Sequence, residues 1–234
     1  MPKRSKDRLQ GTLAPVLTAP TLSAIRDLNS DYIELLIADR DAQRFAKSLP
    51  PAVIAGLNDL DFAARRALAA CPFALFSLGI EHQEFWRIAS GTRNVAEEAP
   101  RYQALMSLSA ESCFGIGALF FAWHVASTQR MAAKVCFAIP DFVVDGLAGL
   151  RLWDLQRIAR ERPVLMKPRW PMHTGFWPDL VRFAARGDIE RLNTTQLLGS
   201  QLIASELRLH AGPRSSMRSA MSPSLETRSL FPLT

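Results

Sequence analysis

The chain has 234 residues, a length that suggests one large domain or two small ones and a core that needs no metal or disulfide staple. Hydrophobic residues make up 48% and charged residues 21%, an ordinary globular composition that excludes collagen-like, fully disordered and disulfide-scaffold classes. The formal net charge is +6, but residues 1–10 hold +3 of it and residues 209–234 hold +2, so the stretch between them is nearly neutral.

Residues 1–20 carry three prolines, one glycine and Lys3, Arg4, Lys6 and Arg8, and read as a disordered basic arm. Thr21 is a candidate helix N-cap. Ile25, Leu28, Tyr32, Leu35 and Leu36 recur at helical spacing with Arg26, Asp31, Glu34 and Asp39 opposite. That pattern predicts an amphipathic helix running to near Lys47. Pro50 and Pro51 break the chain and open a short helix, VIAGLNDL. Asp59 or Asp61 caps the next, FAARRALAACPFALFSL, which Pro72 should kink or split and Gly79 should stop. HQEFWRIA adds a turn or two before Ser90-Gly91, and residues 91–101 form a polar seam.

From Tyr102 to Ile139 the pattern is helical and strongly apolar, with Gly115, Gly117 and residues 127–129 as places to break. Its run from Cys113 to Ala126 has 14 residues where a bilayer needs about 20, so it predicts a fully buried core helix. Pro140-Asp141 opens DFVVDGLAGL, a turn containing Gly149 leads to WDLQRIARER, and Pro163 stops it. Residues 163–178 are rich in proline and aromatics. Pro178 suits the start of DLVRFAAR, which ends at Gly187, and IERLNTTQLLGSQLIASELRL follows. Residues 211–234 read as a disordered tail. No run of alternating β-branched residues and no hairpin turn appears. The expected fold is an all-α compact bundle of about eight helices, with subdomains at 21–90 and 102–210.

Chemistry is sparse. Cys71, Cys113 and Cys136 are odd in number, far apart and set among apolar neighbours, which predicts buried reduced thiols and a cytoplasmic location. His82, His124, His173 and His210 have no metal-ligand spacing. There is no G-x-S-x-G elbow and no phosphate loop, and Gly115-x-Gly117 lacks a preceding strand and a third glycine. No catalytic residue, cofactor or metal is expected, and neither is a secretory signal or membrane contact.

Residues 141–178 carry most of the functional interest. Two helical segments joined by a glycine-containing turn have a helix-turn-helix outline. Arg151, Arg157, Arg160, Arg162, Lys167 and Arg169 are the candidate phosphate contacts, with Gln156 toward base edges. Trp170, Phe176 and Trp177 form an aromatic cluster with two readings, a proline-fixed lid over helices or a protein-binding patch. Phe85 and Trp86, with Phe73 and Phe76, form a second such cluster, core first and interface second.

Two stretches carry a resemblance. IRDLNSDYIELLIADR, followed by LAACPFALFSL, resembles the D subunit of the bacterial flagellar master transcriptional activator. LRLWDLQRIARERPVLMKPRW, followed by GFWPDLVRFA, is similar to the C subunit of that activator. PFALFSL and PRW…FW also resemble patterns in a group of proteobacterial helical proteins. The resemblance covers residues 25–80 and 141–208 and implies a helical protein linked to transcription, secretion or motility. The C subunit's cysteine-rich zinc cluster has no counterpart in this sequence.

The leading expectation is a bacterial, cytoplasmic helical regulatory protein that acts by binding a protein partner, with DNA as a further partner and transcription as its setting. The alternative is a helical adaptor or chaperone-like accessory with no nucleic-acid role. Homo-oligomerisation fits either reading. The two diverge at Arg157 and Arg160: pairing with Asp154 and Glu161 favours the adaptor, and an unpaired basic face with Lys167 and Arg169 favours DNA.

Overall fold

The computed structural model describes residues 16–38, 48–79, 109–161 and 167–210. The expected basic arm (apart from residues 16–20), the HQEFWRIA turns, the 91–101 seam and the C-terminal tail lie outside these residues. The described residues are mostly helical, as the apolar periodicity requires, with one two-residue antiparallel ladder.

Helix α1 spans Ala19–Ala38 and buries Ile25, Asn29, Tyr32, Ile33, Leu35 and Leu36. It starts two residues before the expected cap. Thr18 Oγ1 accepts the Thr21 amide at 3.4 Å, and Pro20 sits in the first turn, where no amide is needed. The Thr21 hydroxyl donates instead to Gln129 Oε1 at 3.2 Å. Helix α2, Pro51–Asp59, packs on α1, and helix α3, Phe62–Ala69, begins where Asp61 Oδ1 accepts the Ala64 amide at 2.7 Å.

The expected helix through residue 78 ends at Ala69. Pro72 removes a backbone donor and excludes helical geometry from the residue before it. The chain then runs extended, and Phe76–Ser77 form β1, paired with β2, Lys167–Pro168. This corrects the expectation of no strand. The segment stays extended while buried because another residue satisfies its backbone. The Asn29 amide donates to the carbonyls of Ala69, Cys71 and Phe73 at 3.2, 3.3 and 2.9 Å, and Asn29 Oδ1 accepts the Leu75 amide at 2.9 Å.

Helix α4, Ala110–Thr128, is capped by Ser109 Oγ on the Ser112 amide at 3.2 Å and runs unbroken through both glycines. It is not fully buried. Gly115, Ala118, Leu119, Ala122 and Val125 face the core, while Cys113, Gly117 and His124 are exposed on the opposite stripe. Helices α1, α5, α6 and α7 pack on α4 and leave the stripe of Cys113, Gly117 and His124 exposed. The break falls at Gln129, before α5, Arg130–Phe137.

Helix α6, Asp141–Ala148, and helix α7, Leu152–Glu161, both rest on α4. Helix α8, Phe176–Arg186, starts before Pro178, and His173 Nδ1 accepts the Gly175 and Phe176 amides at 3.2 and 3.1 Å. Gly187, at φ 63°, turns the chain into α9, Ile189–His210. Gly199 lies where α9 crosses the extended segment: a Cβ there would stand 2.2 Å from the Phe73 ring. One hydrophobic core runs from Ile25 to Ile203 through both expected subdomains. Among the described residues no helix is long and apolar enough to cross a membrane.

Candidate functional site

The 150–177 region combines a buried hub with one exposed turn. The β1–β2 ladder continues with the Arg169 amide donating to the Leu75 carbonyl at 2.9 Å, and this register turns the Arg169 side chain into the core. A buried guanidinium must find acceptors for its donors. Nε donates to the Phe76 carbonyl at 3.1 Å, Nη2 to the Phe137 carbonyl and Nη1 to Glu206 Oε2 at 2.8 Å. Arg169 is 4% exposed and is therefore a structural cross-link, not the expected phosphate contact.

The aromatic cluster closes the same hub. Trp170 adopts φ 47°, rare for a residue with a Cβ, and its indole N–H donates to Glu206 Oε1 at 2.5 Å. Its ring meets Phe176 edge-on at 4.7 Å. The Trp177 indole donates to the Arg169 carbonyl at 2.6 Å. Phe176 and Trp177 are fully buried, which corrects their assignment to an interface: the proline-fixed loop folds them inward as a lid.

The remaining candidate cations divide. Arg151 is exposed, and its Nε pairs with Asp154 Oδ2 at 3.1 Å. The same carboxylate accepts the Arg151 amide at 3.2 Å, capping the first turn of α7. Lys167 is half-buried and engaged in β2. The side chains of Arg157 and Arg160, and the whole of Arg162, Phe85 and Trp86, lie outside the described residues. The α6–α7 turn is pinned by the Trp123 indole donating to the Leu150 carbonyl at 3.1 Å. Just beyond this pin Leu152 and Trp153 stand 43% and 54% exposed.

Sequence reasoning missed a second feature. Helices α3, α8 and α9 frame an open cleft of about 450 Å³. Ala63, Ala64 and Ala67 line one wall, and Ala184, Ala185 and Gly187 line the other. Leu60 and Leu192 are buried at its base, Ile189 is exposed on its lip, and Asp59, Asp61 and Arg186 supply the charge. The signal was present as paired alanines in FAARRALAA and FAAR, where small side chains leave space between helices.

Reactive chemistry is muted. Burial pushes the Cys136 thiol up to about 12 and the Cys71 thiol higher still, so both are poor nucleophiles. Cys113 is exposed, against expectation, because it sits on the outer stripe of α4. Tyr32 is fully buried between Phe76 and Phe114, and its hydroxyl has no hydrogen-bond partner among the described residues. Among the described residues no group of three or more His, Cys, Asp or Glu is placed to hold a metal. Comparison with protein-family models, curated proteins and solved structures finds no match to this chain.

Proposed function

We propose that this protein is a helical regulatory module of the adaptor type, which works by holding a protein partner rather than by catalysis. Its contact surface is the first turn of α7. The observation that carries this reading is the half-exposed pair Leu152 and Trp153, set on a turn held by the Trp123–Leu150 and Arg151–Asp154 hydrogen bonds. A pre-ordered tryptophan beside a second apolar side chain gives large contact area at little entropy cost, the usual make-up of an interface hot spot. The partner chemistry that fits is an apolar pocket deep enough for an indole.

Local pairing of Arg151 and burial of Arg169 favour the adaptor over the DNA reading, because neither cation stands on an unpaired basic face. The cytoplasmic assignment rests on the free, buried Cys71 and Cys136, which suit a reducing compartment. A photo-crosslinking residue placed at position 153 in cells should yield one discrete adduct that Leu152→Ala diminishes. The same reading expects weak duplex binding with little preference among sequences. Tight, sequence-selective DNA binding, or no adduct above that of a probe placed at exposed Met172, overturns it.

A further inference from the structure

Trp170 holds a backbone conformation that its neighbours in sequence disfavour. Among the described residues only Ala138 and Trp170 combine a Cβ with a positive φ. Ala138 caps the end of α5, where that conformation is usual. Trp170 ends no helix, and Pro171 after it favours an extended backbone at negative φ. Side-chain contacts hold the strained residue in place. Glu206 Oε1 accepts its indole N–H, and its ring lies edge-on to Phe176 at 4.7 Å and to Phe73 at 5.7 Å. The other Glu206 oxygen accepts from Arg169, which has the Phe76 and Phe137 carbonyls as further anchors. The indole has Glu206 alone. Glu206 is half-buried one turn from the end of α9, where Arg208 and Leu209 stand exposed. Beyond Trp170 the chain turns at Pro171 and Met172, closed by the His173 amide on the Trp170 carbonyl at 3.0 Å, and Met172 is exposed to water.

We propose that Glu206 and Trp170 form a conformational latch on the loop 170–175. In the latched arrangement the carboxylate holds the indole and Trp170 keeps its positive φ. In the released arrangement Glu206 lets the indole go, and Trp170 relaxes to the extended backbone that a residue before proline prefers. The 170–173 turn then swings out as a unit and uncovers the Phe73 and Phe176 rings. The same swing withdraws His173 Nδ1 from the Gly175 and Phe176 amides. The Arg169 amide stays on the Leu75 carbonyl and the Trp177 indole on the Arg169 carbonyl, since neither bond involves Glu206. The β1–β2 ladder and the core therefore remain closed while the loop opens. Relief of the backbone strain offsets part of the cost of the lost contacts, which makes the released arrangement a minor state of the folded chain. The latch uses no residue of the α7 contact surface, so the two proposals stand or fall separately.

Native-state hydrogen exchange of the full chain, followed by NMR, tests the latch. The Trp170 indole N–H and the Gly175 and Phe176 amides should exchange through a local opening that hardly responds to low urea. The Trp177 indole and the Ala74 amide should exchange only with global unfolding, at the full urea slope. Glu206→Ala should speed the loop group by about tenfold beyond any change in the core group. Trp170→Phe keeps a ring and loses the N–H, so it should speed the Gly175 and Phe176 amides by a similar factor. Adding Glu206→Ala to Trp170→Phe should then speed them little further, because both substitutions remove the same bond. A loop group that shares the urea slope of the core overturns the proposal. So does a loop group that follows only the change in global stability in both variants, or two substitutions whose effects multiply in full.

Discussion

At the scale of single residues, the fold turns on two buried polar side chains that hold chain segments rather than ligands. Arg169 ties β2 to Phe76, Phe137 and Glu206, so three separate regions meet at one guanidinium. Its fixed fork suits that task and a lysine ammonium does not. Arg169→Ala takes one of its two donors from the Glu206 carboxylate, which keeps the Trp170 indole, and leaves the Phe76 and Phe137 carbonyls without their guanidinium partner. It should cost about 3 kcal/mol in urea unfolding. Arg169→Lys should recover less than half of that loss, and recovery to near wild type would contradict the cross-link. Asn29 does the same work for residues 69–75. Its role was open to reading, because it stands four after Ile25 and three before Tyr32, on the apolar face of an amphipathic helix. A polar side chain at such a position has to find buried partners. Arg169 was harder to read, since an arginine in a basic stretch looks the same in sequence whether it faces water or the core. The flanking Pro168 and Pro171, which fix the loop, were the available sign.

At the scale of elements, periodicity located the helices well and their ends less well. Gly187 stopped α8 and Pro140 opened α6, as local backbone preferences require. PFALFSL misled because a short apolar run buried on all sides has no period that separates strand from helix. Charge then fixes how α5 meets α6. Arg130 bridges Asp141 and Asp145, and Lys134 donates to Asp141 at 3.0 Å. The Lys134 hydrogen bond, with that of Arg130, holds the Asp141 carboxyl below the usual range, and Arg130 does so for Asp145. A carboxylate held low adds stability above its unfolded value near 3.9 and loses it as pH falls through the lower folded value. Arg130→Ala should therefore raise both carboxyl titrations toward ordinary values in an NMR pH series. It should also flatten the loss of stability below about pH 4. An unchanged Asp145 titration would show that the clamp does not form in solution.

At the scale of the whole molecule, both expected subdomains contribute to one core, and the ties between them are backbone bonds as well as packing. The Ala74 amide donates to the Cys136 carbonyl at 2.8 Å, and Phe76 pairs with Pro168. Pairings so distant in sequence leave no local pattern, so these ties between 21–90 and 102–210 were not legible in the sequence. The buried thiols test the joint core, because one lies in each part. Cys71 follows α3 and Cys136 lies in α5, and both are shut away with raised pKa values, while Cys113 is exposed on α4. In native buffer a thiol reagent should modify Cys113 within seconds to minutes and leave the other two protected. As urea is raised below the unfolding midpoint, Cys71 and Cys136 become reactive only when the structure around them opens. If the core is shared, one opening exposes both, so the free energies from their modification rates should coincide and fall with the same urea slope. Earlier release of Cys136, with a shallower slope, would mean that the 109–210 part opens while α1–α3 stay folded, and the cross-links at Ala74 and Arg169 would then contribute little to cooperativity.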